Sequence, residues 1–244
     1  MPDFAKLFDS YNRQARLYPS LIAILPALIV VLLILPTVFS GNIGAVFLGI
    51  IGSTGLLFYI AEAGRSLGKR AETELLVKWG GWPTTIWLRH ESEFLSRTTR
   101  GRYLAKLGER IPNLQFPTPE SERHNPRAAD ELYASAVDWL KEQARGPKYR
   151  LVAVENAAYG FRRNLFGLKA IGVLISVVAI LSIAALIVFS WPKVGWEQQN
   201  AIQVVAGIAV VFILLAWLWL VNEDWVRQAA DAYARALLAC CENI

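Results

Sequence analysis

The chain has 244 residues and a formal net charge of +5, with 55% hydrophobic and only 18% charged residues. A soluble domain usually carries about 25% charged residues, and the mean hydropathy here is +0.35. The deficit sits in two long apolar blocks, which excludes a uniformly soluble chain and divides the sequence into a membrane part and a polar part.

The N-terminal segment places Phe4, Leu7, Phe8 and Tyr11 at i, i+3, i+4 and i+7, with Lys6, Asp9, Arg13 and Arg16 on the other face. This spacing predicts an amphipathic helix. It either lies on a membrane surface or packs on the polar part or a partner subunit. Residues 20–39 form an uncharged apolar run of about 30 Å as a helix, the thickness of the hydrocarbon core. The run is longer than a signal-peptide core and a second span follows almost at once, so it reads as a span and not as a cleaved leader. Pro26 and Pro36 are tolerable, because neighbouring helices re-satisfy the freed carbonyls. Ser40, Gly41 and Asn42 predict a tight turn, and residues 43–61 a second uncharged span.

The polar middle, residues 62–167, begins as a helical continuation of span two that Trp79, Gly80, Gly81, Trp82 and Pro83 must break. A helix is expected from Ser96 to Arg110, ending at Pro112, and the proline-rich residues 112–126 read as loop. Asn125 then caps a helix with Pro126 at its first position, ending at Gly146. A last helix over residues 151–165 leads into span three, residues 168–190. Span four, residues 201–221, ends in Trp217 and Trp219, followed by Trp225, an aromatic belt. Val226, Ala230, Tyr233, Leu237 and Cys241 form a helical stripe beyond it. The fold class is therefore all-α: a polytopic membrane protein with two transmembrane hairpins and a helical cytoplasmic domain. Its divisions are 1–61, 62–167, 168–221 and 222–244.

Four spans put both termini and the middle on one side of the membrane. That side holds 24 of the 25 basic residues, Lys193 being the exception. The positive-inside rule makes it the cytoplasmic side. Cys240 and Cys241 are adjacent and poorly placed to bridge each other, so they read as reduced thiols.

The chemistry expected is binding and conduction, not catalysis. No P-loop, paired CxxC, HExxH or GxSxG occurs, and His90 and His124 are the two histidines. No catalytic residue, metal ligand or cofactor is assigned. No ionisable residue lies deep in any span, which argues against a coupled transporter and leaves a passive pore or an anchor. Ala45, Gly49, Gly52 and Ser53 make a small-residue face on span two, fit for a pore wall, a subunit interface or packing against span one. Arg89, Arg97, Arg100, Arg102, Arg162 and Arg163 interleave with Trp82, Trp87, Tyr103 and Tyr159. Such a mixture suits single-stranded nucleic acid, through phosphate contacts and base stacking. Arg162 and Arg163 equally suit anionic lipid headgroups beside a span.

Two stretches carry a resemblance: WGGWPTTIWLRH at 79–90 and ENAAYGFRRNLFGLKAIG at 155–172. With four spans around a helical middle, the chain resembles the membrane channel effectors of the Hailong bacterial antiphage defence system, found beside a nucleotidyltransferase. The resemblance implies a homo-oligomeric channel, a tetramer being one such assembly. It also implies a single-stranded oligodeoxyadenylate, made by the partner enzyme, that holds the pore closed until infection removes it. The ligand residues Arg89, Arg100, Arg102, Arg162, Arg163, Trp82, Trp87 and Tyr159 are assigned from their chemistry. The competing readings are a non-conducting scaffold that recruits a cytoplasmic partner and a membrane-bound enzyme.

Overall fold

A computed structural model describes residues 10–38, 43–190 and 199–244; the side chains of residues 35–56, 58 and 190–200 lie outside that description. Every described element is helical. A short turn, Ser10–Asn12, and a π-helical segment, Arg13–Leu17, lead into α1 (Tyr18–Val38). There follow α2 (Ile43–Trp79), α3 (Pro83–Ile86), α4 (Arg97–Arg110), α5 (Pro119–His124), α6 (Pro126–Gln143), α7 (Arg150–Gly167), α8 (Lys169–Ser190), α9 (Gln199–Trp219) and α10 (Glu223–Ala239). The chain forms two compact units, Met1–Ala71 with Gly160–Val226, and Glu72–Tyr159 with Arg227–Ile244. The apolar unit thus takes in the turns on either side of the expected 61/62 and 167/168 divisions.

In the apolar unit, three helices are long and apolar enough to cross a membrane: Ser10–Ile34, Lys169–Phe189 and Ala201–Trp219. Beyond Arg16 in the first and Lys169 at the start of the second, each is apolar all round, as a span is and a surface helix is not. Their inner faces meet around Ala179, Ile183 and Val210, with Ile29, Val30 and Leu33 packed against them. Their outer faces leave Leu32, Leu174, Leu181, Phe189, Ile202 and Phe212 exposed, as lipid-facing or subunit-facing side chains are. Expected span two falls on the first part of α2. Its small face, Ala45, Gly49, Gly52 and Ser53, lies outside the described side chains, as do the expected turn at 40–42 and the N-terminal residues Phe4, Leu7 and Phe8.

Glycines allow α2 and α7 to meet backbone to backbone. A Cβ on Gly167 would sit 2.6 Å from the carbonyl carbon of Leu67 and 2.7 Å from Cα of Gly68. One turn earlier, a Cβ on Gly64 would meet the Leu168 side chain at 2.8 Å. With Ala61, itself buried, these make a small-residue face C-terminal to the one expected from the sequence, at the polar end of the helix.

The polar unit has its own core, built from Trp87, Leu88, Leu107, Tyr133, Val137, Leu140, Leu237, Leu238 and Cys241. Its helices begin where their caps dictate. Ser96 Oγ accepts from Thr99 N–H ahead of α4, and Asn125 Oδ1 accepts from Ala128 N–H ahead of α6, with Pro126 at the first position. α2 ends at Trp79, and Gly80 and Gly81 then take φ of 75° and 128°, a region that costs glycine little. The proline-rich stretch differs from the expected loop, because it holds α5: Thr118 caps it and Pro119 starts it. α6 stops at Gln143, three residues before Gly146, which takes φ of 103°.

Candidate ligand-binding groove

The loop from Gly80 to Ser96 is held in place by three buried or half-buried polar hubs. Arg89 donates to Asp130 through both Nε (2.7 Å) and Nη2 (2.6 Å), and Nη2 also reaches Gly80 O at 2.9 Å. The planar guanidinium matches the carboxylate fork, and this pairing raises the Arg89 pKa, so its charge is permanent. Glu122 is only 7% exposed. It accepts from His90 N–H at 3.0 and 3.1 Å and from Tyr133 O–H at 2.6 Å. Burial, and then the bond to Glu122, push the Tyr133 phenol up, so it remains a donor. Arg100, 5% exposed, donates to Ser92 O at 2.7 Å.

His90 is held by its ring, 2.8 Å between Nε2 and Pro117 O. A carbonyl only accepts, so Nε2 carries a proton. Neither Arg89 nor Glu91 pairs with it.

This clamped loop, with α4 and α5, encloses two adjoining recesses. One of about 550 Å³ is lined by Arg89, Glu91, Phe94, Glu122 and Arg123 among others. The other, of about 480 Å³, is lined by His90, Glu91, Arg97, Arg100, Pro119 and Arg123. Glu91 and Arg123 belong to both. Arg97 and Arg123 are exposed and have no hydrogen-bond or ion-pair partner among the described residues. Phe94, 55% exposed, lies stacked on Trp87 with centroids 5.2 Å apart and planes at 8°. The groove therefore offers two guanidinium groups without partners among the described residues and the exposed part of Phe94, whose ring also has Arg227 over it at 5.6 Å, with Glu91 and Glu122 as the opposing carboxylates.

The sequence-assigned residues fall into different roles. Arg89 and Arg100 border the groove but are bonded to the protein itself. Trp87 is buried as core, whereas Trp82 is exposed, with Lys141 Nζ 6.0 Å from its ring centroid. Arg102 pairs with Glu242 through Nε and Nη2, both at 2.7 Å. Tyr159 donates to Glu72 at 2.8 Å. In the apolar unit, Arg162 donates to Trp225 O at 2.8 Å and lies 4.9 Å over the Trp225 ring, and Arg163 donates to Asn164 Oδ1 at 3.2 Å. The structure thus gathers Arg89 and Arg100 with Arg97, Arg123 and His90. Arg123 and Phe94 were missed as ligand candidates. The sign in the sequence is that Arg123 falls in the last turn of a proline-started segment with Glu120 and Glu122 in its first turn.

Both stretches that carry the family resemblance are packing hubs. Residues 79–90 make the clamped loop, with Arg227 over the Trp79 ring at 5.0 Å. Residues 155–172 supply Asn164 and Gly167 to the packing of the apolar unit, and Lys169 Nζ reaches Val221 O at 2.7 Å. Among known proteins the chain matches no family model, no curated sequence and no solved structure. No cluster of potential metal ligands occurs among the described residues.

Proposed function

We propose that this chain is a channel-forming effector of Hailong-type antiphage defence. In this reading it is a homo-oligomer with four spans in a bacterial inner membrane, with both termini and the polar unit cytoplasmic. A single-stranded oligodeoxyadenylate, made by a partner nucleotidyltransferase, holds it closed, and loss of that ligand depolarises the membrane. The observation that carries the reading is the groove beside the 79–90 loop, where Arg97 and Arg123, without partners among the described residues, stand next to exposed Phe94. A polyphosphate strand needs uncommitted cations for its phosphates and aromatic faces for its bases.

The membrane part supports a passive pore over a coupled transporter. Lys169 starts its span, Arg13 and Arg16 fall in the first two turns of theirs, and residues 201–219 hold no ionisable side chain. The basic residues flanking the spans support the cytoplasmic placement.

The test is binding of short oligodeoxyadenylate to the purified protein at two salt concentrations, with conductance measured in liposomes. Affinity is expected to fall steeply with salt, and the bound strand to lower conductance. Arg97→Ala with Arg123→Ala should weaken both effects and reduce the salt slope by about 1 for each phosphate no longer neutralised. Absence of binding at low salt would reject the oligonucleotide ligand. A protein that never conducts would favour the scaffold.

A further inference from the structure

The apolar unit contains a cleft that the channel reading does not use. It has a volume of about 230 Å³ and is lined by Ile22 and Leu25 of α1, Phe161 and Leu165 of α7, and Ala216 and Trp217 of α9, closed by Trp225. No lining side chain is charged. Apolar cavities of about 150 Å³ stay dry and take up hydrocarbon, so water is a poor occupant here.

Two features point to an occupant with an anionic end. Arg162 lies over the ring of Trp225, which lines the cleft, and its hydrogen bond to Trp225 O engages only one of the five guanidinium N–H groups. Lys169 donates to the carbonyl of Val221, another lining residue. Glu223 and Asp224 begin α10 nearby but line no part of the cleft. An apolar slot whose rim is cationic and aromatic matches one ligand class at the membrane interface.

We propose that this cleft is a site for an anionic phospholipid. One acyl chain fills the slot between Leu25, Leu165 and Ala216. The phosphate lies against Arg162 and Lys169. Such a site is independent of pore formation and of any oligonucleotide.

The experiment reconstitutes the full-length protein in nanodiscs of phosphatidylglycerol and phosphatidylcholine in equal amounts. Lipid that remains bound after extraction is read by native mass spectrometry. Wild type is expected to retain phosphatidylglycerol about 25-fold over phosphatidylcholine, about fivefold for each of the two interfacial cations. Arg162→Gln should cut that preference about fivefold, and Ala216→Phe, which fills the slot, should lose bound lipid of both kinds. Phosphatidylglycerol brominated on its acyl chains gives a second readout. It should quench part of the wild-type tryptophan emission, and a folded Trp217→Phe protein should lack the quenched component. Equal retention of both lipids by wild type, marking annular lipid alone, would overturn the site. So would lipid retention unchanged in a folded Ala216→Phe protein. Displacement of the lipid by oligodeoxyadenylate would return Arg162 to nucleic-acid binding and overturn it as well.

Discussion

Asn164 donates its side-chain amide to the carbonyl of Ala15 at 2.7 Å, and both residues are buried. Ala15 lies in the π-helical segment Arg13–Leu17 that leads into α1, where the wider turn makes its carbonyl available to a side chain. Gly160 permits the same approach one turn earlier on α7, since a Cβ there would lie 3.0 Å from that of Ala15. The bond therefore ties the entrance of the first span to α7, and the small residues around it set how near the two come.

Asn164→Leu would leave the Ala15 carbonyl buried without a donor, at a cost of about 1–3 kcal/mol. Asn164→Asp should behave alike, because an ionised carboxylate only accepts. Both are expected to lower the melting temperature of the detergent-solubilised protein. Melting curves that superimpose on wild type would show that the bond contributes nothing.

Gly167→Ala should be costly. Its new Cβ would press on the backbone of Leu67 and Gly68, and backbone cannot yield as a flexible side chain does; overpacking of this kind costs about 1–3 kcal/mol. Gly108→Ala is the matched control of opposite sign. Gly108 lies inside α4 with nothing within 4 Å of its new Cβ, so alanine should stabilise by about 0.5–1 kcal/mol. Denaturation curves of the two variants decide the matter; destabilisation by both would mean that helix propensity is not the controlling factor at Gly108.

The Glu122 hub should control the order of the 79–96 loop. Tyr133→Phe deletes one hydrogen bond to a buried carboxylate, worth about 1.5–3 kcal/mol. Glu122→Leu removes the acceptor for His90 N–H as well and should open the loop to limited proteolysis. Wild-type protease resistance in Glu122→Leu would place the loop's anchorage elsewhere, at Arg89 and Asp130.

Alkaline pH should weaken the polar unit. Burial pushes the Cys241 thiol up to about 12 and also raises Cys240 and Tyr103. A raised folded-state pKa means that above about pH 9 the unfolded chain holds fewer protons than the folded one. This contribution is thus complete below pH 9 and declines as pH rises toward 12, by up to about 1.4 kcal/mol per pH unit for one group. Cys241→Ala should flatten the stability profile in that window. The same burial predicts that neither thiol reacts with an aromatic disulfide reagent at pH 8 until the protein is unfolded; rapid native labelling would contradict it.

Much of the helical layout is legible in local sequence. Three of the four uncharged runs fall on helices long and apolar enough to cross a membrane, the last two to within two residues and the first on a helix that begins ten residues earlier. Ser96 and the Asn125–Pro126 pair start α4 and α6 because a cap acts on donors only two or three residues away. Gly80 and Gly81 end α2 because their conformations are cheap for glycine alone. The short α5 escaped because a helix of six residues has too little periodicity to register against its prolines.

Which arginines remain available to a ligand was decided by the tertiary structure alone. Arg89 is committed to Asp130, 41 residues away, and Arg102 to Glu242, 140 residues away, while Arg97 and Arg123 have no such partner among the described residues. The sequence by itself determined where the membrane runs and caps lie, because those depend on solvent and on backbone groups within one turn. A guanidinium's charge acts over a few ångströms of space, and only folding brings a carboxylate from another helix within that reach.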